Sequence, residues 1–524
     1  MWFKKKSLRR QAVAEETLPT KSVLGRLGKR GRHFLLGTIV FFAAVLVIGL
    51  FPMSSGQWPL WLESERILGA GLLAAMLTTI GVLLIGSRRR PESYCEQGGT
   101  GRDCPHPWVP PLLVLITLAV AKAVVVAGLG PWIYLLGLGP MFLIAIILTI
   151  AYDQRFAASL AALSAMLLTI TIGQTMGFLL TAFAGAAVLV FALRQIRTRP
   201  QLMRAGLFAA AAAAVTIVGY GLLGGPLPHT APTTLPWAGS SFDPPALFRN
   251  AALAGGAALA AIFATLGILP LIENIFGDPT AMTLLELSDT NRPLLRRLAM
   301  EAPGTFNHSL ILGTLAEAAA HDIGANALLC RVGAYYHDIG KLLKPTYFIE
   351  NAAGRANRHE NLSPAMSLLI VLGHVKDGLE LAREYHLPAA VRKCIPEHHG
   401  TTVVECFFHA AREKQADSAD PGTPVRDSEF RYPGPKPRSR ETAILMICDG
   451  AESSVRALGD PTAARIEGAV HQLIMKRLLD GQFDECNLAM GDLERIEQCL
   501  VRTLAGVYHT RTAYPAAAPI SKPA

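Results

Sequence analysis

Charge is scarce in this chain. Asp, Glu, Lys and Arg make up 17% of its 524 residues against 51% for apolar types, too little to solvate a wholly soluble protein, so part of it belongs in a membrane. Cysteine is sparse and unpatterned: eight residues show no paired spacing, which excludes a disulfide-stapled secreted scaffold. Cys95 and Cys104 share one short loop, but two cysteines alone are a weak metal signal. Basic charge is missing where a nucleic-acid binder needs it. Residues 1–272 carry 22 Lys and Arg and 9 Asp and Glu, whereas the remainder carries 27 and 31. The C-terminal half is therefore mildly acidic. An anionic substrate there has to be held by metal ions or by a few placed cations, and no nucleic-acid partner is expected.

The long apolar runs lie at 33–51, 67–86, 111–130, 132–151, 156–176, 177–193, 205–225 and 251–272, each of a length that can cross a bilayer. Lys122 is the single charge inside them. The stretch 156–193 is too long for one span at about 1.5 Å per residue, so it reads as a hairpin turning near Gln174 to Gly177. With the N-terminus inside, the inner segments hold 19 basic residues and the outer ones two, Arg66 and Arg249. This asymmetry places both termini in the cytoplasm and accounts for the high net charge. The first run is followed at once by others and lacks a clear cleavage site, so it reads as an uncleaved anchor. A transporter needs ionisable residues within its spans, and Lys122 alone reads more simply as a packed or snorkelling residue. The many Gly and Ala residues suit close helix packing.

Beyond residue 272 the apolar pattern becomes that of amphipathic helices, expected near 292–301, 305–322, 326–343, 363–372, 377–384, 388–395, 402–415, 440–457, 461–480 and 491–507. The expected fold is all-α: about eight membrane-spanning helices followed by an all-α cytoplasmic domain. The organisation reads as a basic tail (1–32), an anchor (33–51), a seven-helix bundle (67–272), a linker (273–300), a catalytic domain (301–512) and a disordered tail (513–524). Residues 415–440, rich in Pro, Gly, Asp and Ser, read as an exposed loop.

Histidine placement carries the chemistry, since eleven of the fourteen lie at or beyond His308. The clearest phrase is Gly333-Ala-Tyr-Tyr-His337-Asp338-Ile-Gly-Lys341, in which a short carboxylate beside an imidazole suits a site for Fe, Mn or Zn. The same four letters occur earlier as His321-Asp322-Ile323-Gly324. There Gly324 and Asn326 read as a helix stop and a new cap, so the first copy is expected to face solvent. His308 in Pro303-Gly-Thr-Phe-Asn-His308-Ser309, His374, the pair His398-His399, and Asp449 in Ile447-Cys-Asp-Gly-Ala-Glu452 add further ligand types on separate helical segments. Any one of these histidines alone reads as structural; together they read as a metal site.

The ordered set His308, His337-Asp338, His374, His398-His399, Asp449 resembles the metal ligands of the HD superfamily. The phrases Leu284-Leu-Glu-Leu-Ser-Asp289, Arg297-Leu-Ala-Met-Glu-Ala-Pro-Gly-Thr305, His374-Val-Lys-Asp-Gly378 and Phe430-Arg-Tyr-Pro-Gly-Pro-Lys-Pro437 narrow the resemblance to bacterial seven-transmembrane HD phosphodiesterases that hydrolyse cyclic di-AMP. It covers most of residues 111–510. Eight spans fit that family's plan as one plus seven, but only residues 52–66 separate the first two, so the family's large extracytoplasmic domain is expected to be absent.

The resemblance implies a two-metal phosphodiesterase in the bacterial plasma membrane that opens cyclic di-AMP to linear pApA. Two divalent ions roughly 3.5–4 Å apart supply a hydroxide nucleophile and stabilise the attacking and leaving oxygens. His308, His337, Asp338 and Asp449 would hold one ion; Asp338, His374, His398 and His399 the other, with Mn or Fe expected. Asp338 and Lys341 are the catalytic candidates. Lys341 can pair with a phosphate oxygen or be an ordinary solvated lysine. His359 reads as a substrate contact or a helix cap, and Tyr432 as a base-stacking platform or a packed anchor. The residues alone do not choose among cyclic dinucleotides, although Gly400-Thr-Thr after His399 departs from the Gly-Tyr-Pro turn of the cyclic di-GMP branch. The alternatives are a non-catalytic nucleotide receptor, whose mark would be lost ligands, and an HD hydrolase for another nucleotide. A homodimer is left open.

Overall fold

The computed structural model describes residues 109–152, 154–193, 198–223, 244–277, 279–352, 358–416 and 424–509. The expected spans at 33–51 and 67–86 and both tails lie outside the described residues. The chain divides near residue 268 into two compact units.

The first unit is built of apolar helices: α1 (Val109–Val126), the short α2 (Ile133–Leu136) leading into α3 (Leu138–Ala151), α4 (Gln154–Ile172), α5 (Met176–Ala192), α6 (Arg199–Leu222) and α7 (Pro244–Phe276). Five of these stretches are long and apolar enough to cross a membrane, and the 17-residue α5 is the shorter sixth. Helix is the form that satisfies every backbone N–H and C=O without water. Side-chain hydroxyls follow the same rule: Ser164 and Thr181 donate to carbonyls four residues back, at 2.7 Å each. The hairpin of 156–193 turns at residues 173–175, one to two residues earlier than expected. Ala209, Ala213, Ala254, Ala257 and Ala258 are fully buried, so small side chains line the helix contacts. Lys122 is buried and donates to the Thr171 carbonyl at 3.2 Å, which makes it a packed residue of the bundle.

The second unit contains α8 (Ala281–Leu287), α9 (Pro293–Glu301), α10 (Pro303–Asp322), α11 (Ala327–Tyr336), α12 (Pro364–Glu384), α13 (Ala389–Glu397), α14 (Glu405–Ala416), α15 (Arg440–Arg456), α16 (Ala463–Leu479) and α17 (Met490–His509). Among the described residues there is no strand, only a bridge between Val403 and Arg431. Local chemistry sets many boundaries. Pro293, Pro303 and Pro364 occupy first helical positions. Asn326, Ser363 and Ser439 accept from backbone N–H groups three residues on.

Three expectations change here. The stretch 273–300, expected as a linker apart from a helix near 292–301, holds the end of α7, all of α8 and most of α9, and buries Leu284, Leu287, Leu294, Leu295 and Leu298 in one core with Val332, Tyr336 and Ile339. The two helices expected at 363–372 and 377–384 are one continuous α12, because Gly373 and Gly378 keep helical geometry. The helix expected over 326–343 ends at Tyr336 and tightens into a 3₁₀ turn at Ile339–Leu343. Within that turn the Gly340 backbone lies against α12 so closely that a Cβ would stand 1.9 Å from the His374 carbonyl oxygen. A second core joins Leu312 and Ala316 of α10, Cys330 of α11, Ile444 and Ile447 of α15, Val470 of α16 and Leu500 of α17. The histidines lie on α10, α11, α12 and α13, the helices that these two cores hold together.

Candidate metal centre

α10 supplies His308 from its second turn, and α11 delivers His337 and Asp338 at its C-terminal end. α12 supplies His374 from its middle, α13 ends at Glu397 just before His398-His399, and α15 supplies Asp449. His308, His337, Asp338, His374 and His398 are all buried. Their donor atoms form two groups, each with all members within 4.8 Å of one another: Asp338, His374, His398 and His399, and His308, His337 and Asp338. Asp449 lies beside the second group, its Oδ1 3.1 Å from His308 Nε2.

Asp338 belongs to both groups, and its two oxygens face different ways. Oδ2 lies 3.0 Å from His337 Nε2, while Oδ1 lies 3.4 Å from His374 Nε2 and 3.8 Å from His398 Nε2. That is the disposition of a carboxylate that can bridge two cations. Adjacent residues reach opposite sides of one site because the helix stops at Tyr336 and Asp338 leaves it, at φ −111° and ψ 16°.

The imidazoles are turned so that Nε2 faces the cluster. Nδ1–H donates to the Ala334 carbonyl in His337 (2.7 Å), to Val371 in His374 (2.5 Å) and to Cys394 in His398 (3.0 Å). In His308, Nδ1 bonds the Glu452 carboxylate at 3.0 Å. Such partners fix the tautomer of a metal-ligating histidine. The Nε2 atoms of His337, His374 and His398, with Asp338 Oδ1, are buried and have no hydrogen-bond partner in the protein. Buried polar atoms left in this way mark a missing partner, and a divalent cation fits this mixed imidazole and carboxylate set.

The electrostatics agree. Burial pushes the imidazoles of His374, His398 and His399 down, His398 to about 3, so they are neutral donors at pH 7. Burial opposes ionisation of Asp338, but His337 and Lys341 outweigh it and hold the carboxyl well below its usual range. His308 is pushed up to about 10, because hydrogen bonds to Asp449 and Glu452 overcome its burial. His308 and Asp449 would give up the proton between them on holding a cation.

The other expected residues sit differently. Lys341 is tied in rather than solvated: Nζ lies 2.7 Å from Asp338 Oδ2 and 2.8 Å from Glu350 Oε1. Tyr432, expected to offer a face to a base, is buried and lies flat on His399, with centroids 4.0 Å apart and planes at 19°. It packs on the His399 imidazole where the chain after 430 runs inward through the bridge between Val403 and Arg431, so 424–440 is not wholly the exposed loop that was expected. His359 bonds the Tyr347 carbonyl at 2.8 Å and packs beside Phe407, outside both donor groups. The first His-Asp copy also stands apart: His321 is exposed and Asp322 pairs with Arg502 at 3.1 Å.

Two carboxylates escaped the sequence reading. Glu350 accepts from Lys341 and from the Thr305 hydroxyl at 3.2 Å. Glu452 supports His308; its spacing of three from Asp449, which puts both on one helix face, was the available signal.

An all-α fold enclosing this His and Asp cluster defines a metal-dependent hydrolase domain of the HD type. Residues 305–453 match the HD domain family, and residues 111–280 match the family described as "7TM receptor with intracellular HD hydrolase". The chain is 44% identical over 249 residues to the cyclic-di-AMP phosphodiesterase PgpH of Listeria monocytogenes and 44% identical over 252 residues to that of Bacillus subtilis. Each match covers 48% of this chain and 34% of the relative, so the chain spans about a third of the length of the curated relatives it matches. The crystal structure of the L. monocytogenes PgpH HD domain in complex with cyclic di-AMP is 43% identical, covering 43% of this chain and all of that one, with a TM-score of 0.39. Residues 111–280 thus belong with the seven-transmembrane segment of that family, and residues 305–453 with the HD domain family.

Proposed function

We propose that this chain is a membrane-bound phosphodiesterase that hydrolyses cyclic di-AMP to linear pApA with two divalent cations, Mn or Fe. The observation that carries the reading is Asp338, shared by two donor groups and buried with one oxygen turned to each. The substrate comes from the identity to PgpH, whose own name states it. The hydrolysis adds one water across a 3′–5′ phosphodiester: the P–O3′ bond breaks, leaving a 3′-hydroxyl and a 5′-phosphate.

His308, His337, Asp338 and Asp449 would hold one cation, and Asp338, His374, His398 and His399 the other. When bound, such a pair supplies a nucleophilic hydroxide at neutral pH and neutralises charge on the attacking and leaving oxygens. Lys341 keeps its charge against burial through Asp338 and Glu350. A substrate phosphate oxygen that takes the place of Glu350 on Nζ would be oriented there. Tyr432 holds His399 in register, and His359, beside Tyr347 and Phe407, is placed to line the substrate path. The basic residues concentrated in the segments read as inner support a bacterial plasma-membrane protein with both termini in the cytoplasm.

The test is a panel of cyclic dinucleotides incubated with purified full-length protein plus Mn²⁺ or Fe²⁺, with products separated by chromatography. Cyclic di-AMP should give pApA, and Asp338→Ala should abolish the reaction. Binding without cleavage under every metal would make the protein a receptor instead.

A further inference from the structure

The two cation positions are not equivalent in what stands behind them. His337, His374 and His398 are each held through Nδ1 by a carbonyl of their own helix, three or four residues back. Those contacts are neutral and local. His308 is held by Glu452, a residue 144 positions away on α15 and 2% exposed. The second Glu452 oxygen accepts from Arg456 at 3.3 Å, and Arg456 itself is 43% exposed. Glu452 therefore makes its strongest buried contact with one ligand of one group. The groups also differ in charge. The His308 group contains Asp338, with Asp449 Oδ1 3.1 Å from His308 Nε2 and Glu452 behind, whereas the His374 group contains Asp338 alone with three imidazoles.

We propose that Glu452 is a positioning residue that makes the two sites unequal, so that the position built on His308, His337, Asp338 and Asp449 binds its cation more tightly and fills first. This rests on the two-cation reading above. A carboxylate on Nδ1–H pushes electron density toward Nε2 and fixes the ring, and loss of such a partner typically weakens metal binding by about 10–100-fold. A backbone carbonyl fixes the ring with less electron donation. Glu452 touches no reacting atom; it acts through His308.

The experiment strips the purified full-length protein with chelator and titrates it with Mn²⁺ alone, read by calorimetry and by electron paramagnetic resonance of unbound Mn²⁺. Wild type should show two steps of different affinity. Glu452→Gln, which keeps shape and hydrogen bonding but removes the charge, should weaken the tighter step by about 10–100-fold and leave the weaker one unchanged. Arg456→Gln, which leaves Glu452 charged on His308, should change neither step. If Glu452→Gln does not fold, Glu452→Asp decides, because it keeps the charge and draws it back from Nδ1; the tighter step should again weaken selectively. Equal weakening of both steps, an unchanged titration, or the same effect from Arg456→Gln overturns the proposal. A wild-type protein that takes up fewer than two ions overturns the two-cation reading itself, which separates the two failures.

Discussion

Adding one methyl group at Gly340 should disable the metal centre while leaving all seven candidate ligands in the sequence. A Cβ built on Gly340 stands 1.9 Å from the His374 carbonyl oxygen, 2.5 Å from the Gly378 nitrogen and 2.8 Å from the His374 carbonyl carbon. All three atoms are backbone, so no side chain can swing aside. Carbon–oxygen contacts in packed protein sit at about 3.3 Å or beyond, so the 3₁₀ turn and α12 would have to part by roughly 1.4 Å. The turn follows directly on Asp338 and α12 carries His374, whose facing atoms are 3.4 Å apart. The separation therefore opens within the shared-carboxylate group. Overpacking of this kind costs about 1–3 kcal/mol of stability, and a misplacement of ~1 Å at a reacting centre can cost about 100-fold in rate. Gly340→Ala should thus fold with a lowered melting temperature, lose cation affinity, and hydrolyse substrate at about a hundredth of the wild-type rate or less. Calorimetry, Mn²⁺ titration and a product assay read the three effects. Wild-type stoichiometry and activity in Gly340→Ala would refute the reasoning, whereas Gly324→Ala should affect stability alone. Gly324 has φ +66° at a helix end and open space around it.

Other perturbations separate the remaining parts. The double change Lys341→Met with Glu350→Gln removes the lysine without leaving Glu350 as an unpaired buried charge. It should lower kcat/KM by about 10–100-fold, the worth of a hydrogen bond to a charged group, with cation uptake retained; wild-type kcat/KM would remove Lys341 from the substrate site. Divalent cation at 100 times its Kd should stabilise the stripped protein by about 2.7 kcal/mol per ion, a rise of roughly 5–10 °C per ion for a domain of this size. A melting temperature unmoved by Mn²⁺ would argue against a metal centre. Asp480 supports the turn after His399 through a two-pronged bond from Arg431 at 3.0 and 3.1 Å and a bond from Gln482 at 2.8 Å. Burial alone would raise its pKa, but those donors outweigh it and hold the carboxyl below 3.8. The group's stabilisation is therefore fully present above the unfolded value near 3.9 and disappears as pH falls through the lower folded value. Asp480→Asn should cost roughly 0.5–1 kcal/mol at pH 7 and little at pH 2; equal losses at both pH values in urea titrations would contradict this.

Much of this protein was legible before any coordinate was known, because it depends on near neighbours in sequence. Apolar runs of bilayer length, amphipathic periodicity, Asn326 as a cap and Gly324 as a helix stop are local features, and they placed most helix boundaries to within a few residues. The ligand types were also visible, since His and Asp spaced over five segments carry their chemistry wherever they fold. The tertiary structure decided what depends on distant backbone. Gly340 lets the turn after α11 lie against the backbone of α12 beside His374, and the two oxygens of Asp338 face different histidines. Packing of 273–300 into a shared core turned an expected linker into part of the domain. Lys341 is held between two carboxylates, Tyr432 is spent on His399, and Glu452 reaches His308 across 144 residues. These are contacts between groups far apart along the chain, so their partners are set by how the two cores pack, and no local pattern records them.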